Sequence, residues 1–351
     1  MKVQGRAVDT LRSLLREAFI LRNGGLFLLP KEFKTIDEQI AILKERGLAI
    51  PDEEKAKQYL LTNNYYNIIN GYSKPFLEQK EQYLSGATFD EVSRLYFLDK
   101  ELKQTLFNAI LDAEHHLKSI FAYRFAEAHK QSPMAYLDIR SYDHEKSLSV
   151  SYMISKIHRI ISKNNHYQNN SINYYLRKYH FVPIWVLIDY LDFGDLTTLI
   201  NIVPRTMQNR IAQDLTSFIV ANNPGFQGVF EPKVMVSFIK NIHETRNICA
   251  HNNRLISFRC RSDAKFFTYL HSKYNFTPDN DRNTVYSTFI SMQCFISQTE
   301  YAKLHNTIRK RINSLANHLS SIDINSILSL LGFPNDWQLA PKIDQIQEGQ
   351  D

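Results

Sequence analysis

The stretch TFDEVSRLYFLDKELKQTLFNAILDAEHHLKSIFAYRFAEAH, residues 88–129, decides the fold. Its apolar residues recur at spacings of three and four, and no proline or glycine interrupts it. That pattern predicts one long amphipathic helix. The same spacing continues outward on both sides. In TIDEQIAILKERG, residues 35–47, Thr35 is followed three residues later by Glu38, the signature of a capped helix start. Ile36, Ile40 and Leu43 share one stripe, and Gly47 marks the stop. Asp52 is the expected cap of the second helix, so residues 35–62 read as a helical hairpin. Residues 7–21 place Leu11, Leu14, Leu15 and Phe19 at helical spacing opposite Arg12 and Arg16, which predicts an amphipathic docking helix.

Towards the C-terminus, residues 130–180 are more polar. Their Asn/Tyr-rich stretch SKNNHYQNNSINYY reads as a loop or insertion. PIWVLIDYLDFGDLTTLINIV restarts a helix at Pro183 and breaks near Gly194, with Asp195 as the expected cap of a further helix. NNPGFQG (222–228) reads as a loop, residues 231–254 as a helix, and Thr284 to His318 as one or two more. No repeat recurs at a fixed period. The predicted class is all-α, with an N-terminal helical subdomain over 1–85 and a helical core over 86–345 that carries a polar insertion at about 131–180.

Composition narrows the function. Eleven glycines in 351 residues disfavour all-β architectures and glycine-rich nucleotide loops. The net charge of +6 suits a polyanion partner. Cys249, Cys260 and Cys294 form no C-x-x-C pair and no zinc spacing, so they are expected as small core residues in a reducing cytosol. The N-terminus lacks the apolar run of a signal peptide, and no apolar stretch approaches membrane-spanning length. A cytoplasmic protein without a membrane partner is expected. DNA is disfavoured as a partner, because EEKAKQ in the hairpin offers few side chains that read bases.

The segment KNIHETRNICAHNNRL, residues 240–255, stands out. On a continuous helix from Glu231 to about Arg254, Val234, Phe238, Ile242 and Cys249 form a core-facing stripe. The opposite arc holds Lys240, His243, Asn247, His251 and Arg254, with Arg246 on the border. Only Glu244 supplies negative charge nearby. A solvated face is the plain reading, yet such faces mix Glu with Lys and use good helix formers. Asn and His are poorer formers, and two His beside Arg suit a phosphate and a proton. His243 and His251 lie eight residues apart, about 12 Å of helical rise, too far for one metal ion. No zinc motif accompanies them, so neither a metal nor another cofactor is expected.

RNICAH fits Arg-x4-His with Asn directly after Arg, and this resembles the signature of the HEPN ribonuclease superfamily. The longer RNICAHNNRL is similar to the abortive-infection (Abi) family of bacterial phage-defence proteins, in the AbiD/AbiF-like branch. Three more blocks are similar to that branch: IAILKERGLAIPDEEKAKQYLLTNNYYNIINGYSKPF, the long helix, and PIWVLIDYLDFGDLTTL, a Pro-x-Trp block ending in an aromatic-Gly pair. The resemblance implies a HEPN-type helical bundle working as a homodimer, and metal-independent RNA cleavage by a toxin-like enzyme. It assigns Arg246, His251 and Asn247 as catalytic. Lys240, His243 and Arg254 are expected as RNA-holding neighbours, and Glu114 as a supporting partner of a cation. Where relatives show Glu followed by Leu-Arg, this chain has Glu114, His115, His116, Leu117 and Lys118. Lysine lacks the planar fork of arginine, which weakens any phosphate-gripping role there. The expected partner is a substrate RNA or a guide or inhibitor RNA. The competing expectation is a non-cleaving protein that holds a structured RNA. Arg246 and His251 lie five residues apart, about 140° around a regular helix. Either the helix ends near Cys249–His251, or a second copy completes the site.

Overall fold

The computed structural model describes residues 32–251 and 253–344. The expected docking helix at 7–21 lies outside them. The all-α class holds: thirteen α-helices and one two-stranded hairpin make up the described regular structure, beside short 3-10 and π turns.

Helix α1 (Ile36–Glu45) starts on a reciprocal capping box between Thr35 and Glu38, and α2 (Glu53–Asn63) starts on the Asp52 carboxylate. The two pack together as the expected hairpin. Gly47 ends the first at φ +86°, where a side chain would also meet Gln82. A π-helical turn (Tyr66–Asn70) and the hairpin β1 (Leu77–Gln79) and β2 (Gln82–Tyr83) lead into α3.

Helix α3 runs unbroken over Phe89–Ala128, 40 residues, or about 60 Å. Thr88 and Glu91 form its capping box. The buried Glu91 carboxylate also accepts the backbone N–H groups of Ser320 and Ser321 at 2.7 and 2.8 Å, fastening the far C-terminal region to the start of this helix. Leu95, Leu98, Leu102, Leu106, Ile110, Leu117, Phe121 and Phe125 are all buried along one stripe. Each such residue contributes roughly 1.5–3 kcal/mol relative to exposure, which makes this helix the axis of the core.

The polar segment is a correction to the loop reading. It holds α4 (Ser147–Asn165) and α5 (Ser171–Tyr179). Its asparagines close helix ends. Asn170 caps α5 through Asn173 N–H, and the Asn173 amide donates to Asn165 O at 2.7 Å. Val150, Met153, Ile157 and Ile161 bury the inner face of α4.

After the short α6 (Ile184–Leu187) come α7 (Phe193–Ile202), α8 (Arg205–Asn222) and α9 (Pro232–Ala250). The cap of α7 is Asp192, not Asp195. Asp195 is the third helical residue and answers the cap from inside the first turn. The chain continues through α10 (Thr268–His271), α11 (Val285–Ser291), α12 (Gln298–Ala316) and α13 (Ile324–Leu331). Helices α9, α12, α8 and α6 pack around α3, and one hydrophobic core extends from Ile40 to Trp337. Cys260 and Cys294 are buried and Cys249 is half-buried against that core, all three as free thiols. None of the described helices is long and apolar enough to cross a membrane.

One core group sets a pH dependence. His271 is fully buried, and its Nδ1 accepts the Phe267 N–H at 2.8 Å, which requires a neutral ring. Burial, followed by the Arg282 charge, lowers its pKa from 6.5 to about 4. Below 6.5 the unfolded chain takes up a proton that the folded chain refuses. Stability is therefore full above that value and falls as the pH drops towards about 4, by about 3 kcal/mol from this group alone. Urea midpoints at about pH 7 and pH 5 test this, and equal midpoints would contradict it.

Candidate functional site

Helix α9 brings its core-facing stripe and its polar ridge into the positions the sequence predicts, with one correction. The helix ends at Ala250, and His251 is its C-cap at φ −94°, with its N–H bonded to Asn247 O at 3.1 Å. Asn253 N–H turns back to Ile248 O at 3.1 Å. The chain therefore leaves the helical path before Arg254, and Arg254 does not extend the ridge. Its guanidinium instead donates to the Gly71 carbonyl beside the π turn.

Three predicted residues form one hydrogen-bonded chain. Arg246 Nη1 donates to Asn247 Oδ1 at 3.4 Å, and Asn247 Nδ2 lies 3.2 Å from His243 Nε2. A guanidinium can only donate, so the amide oxygen faces Arg246 and the amide NH₂ faces the imidazole. His243 therefore presents a lone pair at Nε2 and carries its proton on Nδ1. Burial lowers the His243 pKa, and the Arg246 charge lowers it further against the opposing pull of Asp192, Glu244 and Glu114. The neutral imidazole that this hydrogen bond needs is thus the favoured form.

The seat of His243 comes from α7. The Phe193 ring meets it edge-on at 5.7 Å. A Cβ at Gly194 would stand 3.3 Å from His243 Nε2 and 3.1 Å from Asp192 Oδ1. The Phe193–Gly194 pair thus supplies one wall and one opening for the imidazole. Lys156 of α4 bridges Asp192 at 3.2 Å and Asp195 at 2.5 Å, holding the start of α7 in place.

Helix α3 forms the opposite side. The Arg246 guanidinium lies 5.8 Å from the Phe107 ring centroid, and its Nε is buried without a hydrogen-bond partner among the described residues. Glu114 is buried and pairs with Lys118 at 2.9 Å, while its second oxygen likewise has no described partner. Glu114 is thus engaged with a cation of its own helix. Glu244, the one acid in the segment, accepts the Arg261 N–H at 2.8 Å. Lys240 and His251 are exposed, and no side-chain hydrogen bond joins His251 to Arg246 or Asn247. Among the described residues, no group of three or more His, Cys, Asp or Glu is placed to hold a metal ion.

Sequence reasoning missed Asp99. This fully buried carboxylate accepts the N–H groups of Leu255 and Ile256 at 3.0 and 2.8 Å, the Tyr72 hydroxyl at 2.7 Å, and the Lys103 ammonium at 3.1 Å. It ties the segment just after His251 both to α3 and to the N-terminal region. A signal was present: Asp99 sits in the apolar stripe of the long helix, between Leu95 and Leu102. Phe107 and Phe193 gave no signal of their own, since each reads as an ordinary core aromatic.

Comparison with known proteins adds a family. The family described as Abi-like protein matches residues 58–257, more than half of the chain. The match contains α3, the Phe193–Gly194 pair and all of α9. No curated protein and no solved structure matches the chain.

Proposed function

The chain belongs to the Abi-like protein family, which ties it to abortive infection and phage defence, and on that premise we propose that it is a toxin-like, metal-independent endoribonuclease of the HEPN type. The observation that carries this reading is the Arg246–Asn247–His243 chain beside the exposed His251, on a ridge whose only acid is engaged elsewhere. Such a ridge is suited to a phosphate.

RNA brings its own nucleophile, the 2′-OH. In the proposed reaction His251 takes the 2′-OH proton, the 2′-oxygen bonds to the adjacent phosphorus, and the bond to the 5′-oxygen breaks. A second imidazole protonates the leaving 5′-oxygen, leaving a 2′,3′-cyclic phosphate and a 5′-OH. Arg246 grips the phosphate through the charge of its guanidinium. Asn247 fixes the orientation of the guanidinium. The second imidazole is His251 of another copy in a twofold homodimer. Activity that survives dilution to a monomer would remove that part of the proposal.

Incubation with total RNA in EDTA, with the cut ends then mapped, tests the reaction. Cyclic-phosphate ends from the wild type and none from His251→Ala are expected. Intact RNA under all conditions would leave the alternative, a non-cleaving RNA-binding protein.

The seat of His243 gives a further test. Gly194→Ala presses on the imidazole, and displacements of a few tenths of an ångström cost roughly fivefold in rate. Alanine's helix advantage of roughly 0.5–1 kcal/mol offsets the added contact, so the melting temperature is expected to hold. Wild-type cleavage by this variant would show that the His243–Asn247–Arg246 chain does not position the guanidinium for the reaction.

A further inference from the structure

A polar cavity of about 400 Å³ lies between the π turn and the segment just after His251. Tyr66, Asn67 and Asn70 line it from the turn, Tyr96 and Lys103 from α3, and Arg254 from the far side. Among the described residues, no acidic one lines it. Its volume falls within the range of small-ligand sites.

Each wall has a defined chemistry. Tyr66 is 69 % exposed, so its ring face is open to a flat partner. Asn70 is exposed and makes no side-chain hydrogen bond to any described residue, leaving an amide donor and acceptor for a base edge. Arg254 is held at the wall by the Gly71 carbonyl, which pre-sets a cation that is paired with no acid among the described residues. The turn itself is π-helical, a rare geometry frequent at functional sites. Asp99 accepts from the Tyr72 hydroxyl and pairs with the Lys103 ammonium at 3.1 Å, so its charge is offset by a cation of the cavity wall.

Aromatic face, amide edge and fixed guanidinium are the groups that recognise an unstacked nucleotide of single-stranded RNA. Asn253, on the same wall, is two residues past His251, so their Cα atoms are at most about 7.6 Å apart. We propose that this cavity holds the base and phosphate of one nucleotide of the substrate strand, neighbouring the nucleotide cut at His251. The assignment of the strand as substrate rests on the ribonuclease reading, whereas the binding itself does not.

The test uses the full chain and a fluorescent single-stranded oligonucleotide that is 2′-O-methylated and so cannot be cleaved by its own 2′-OH. Fluorescence anisotropy reads the Kd. Tyr66→Ala is expected to weaken binding about tenfold, the loss of one base–ring stack, and Tyr66→Phe to restore it. Asn70→Asp, which removes the amide donor and sets a negative charge in a cavity that holds a phosphate, is expected to weaken binding at least as much. Both side chains are exposed, so neither change threatens the fold. Wild-type affinity in Tyr66→Ala and Asn70→Asp, or no binding by the wild type, would overturn the proposal. Cleavage of the unmodified oligonucleotide by the same wild-type protein is measured in parallel. Absence of cleavage with the Tyr66 effect intact would sink the ribonuclease reading and leave the binding site standing.

Discussion

His251→Ala is expected to lower RNA cleavage by roughly 10²–10⁴-fold, the usual loss when a proton-transferring side chain is removed. The same variant should unfold within about 0.5 kcal/mol of wild type, because the side chain is exposed and the C-cap contact is made by the backbone. That contrast makes His251 a cleaner probe than Arg246. Truncating Arg246 would also remove its packing over Phe107. Arg246→Lys is the better companion, since it keeps the charge and loses the planar fork. Full cleavage by His251→Ala would refute catalysis at this ridge. Equal losses of cleavage and of thermal stability would show that the variant reports folding.

Asp99→Ala is expected to cost about 3–5 kcal/mol of stability, the range for removing one partner of a buried ion pair. The change leaves the Lys103 ammonium without its carboxylate, and the Leu255 and Ile256 N–H groups without their acceptor. Urea denaturation measures it, and a loss under about 1 kcal/mol would contradict the clamp. The clamp also bears on the site. It fixes the chain at Leu255, a short step beyond His251, so its loss should loosen His251 and Arg254 together.

The features that were legible in the sequence are the local ones. Thr35 with Glu38 and the Asp52 cap act over three residues, and the pattern of types declares them. The long helix was legible because its apolar period is uninterrupted. The Asn-rich segment misled because its polarity reads as a loop, whereas Asn170 and Asn173 close helix ends. At Asp192 and Asp195 both residues of the capping box are aspartates, so spacing alone did not say which begins the helix. Within the site, Asn247 and His243 share one helix face with Arg246 on its border, and the three could be grouped from spacing. The seat of His243 could not, since Phe193 and Gly194 come from another helix about 50 residues earlier. The Asp99 clamp spans 156 residues to Leu255, and no local pattern encodes that pairing.

The long axial helix has a consequence for synthesis. Its last residue is Ala128, while α12, which packs along it, is complete only at Ala316. At roughly 5–20 residues per second, the ribosome needs about ten to forty seconds to add the difference. For that interval a finished helix presents leucines and phenylalanines whose covering partner has not been made. Nascent chains of this protein should therefore engage holding chaperones early. A fragment cut to the family-matched span 58–257 would keep that exposure permanently, with Glu91 stripped of Ser320 and Ser321.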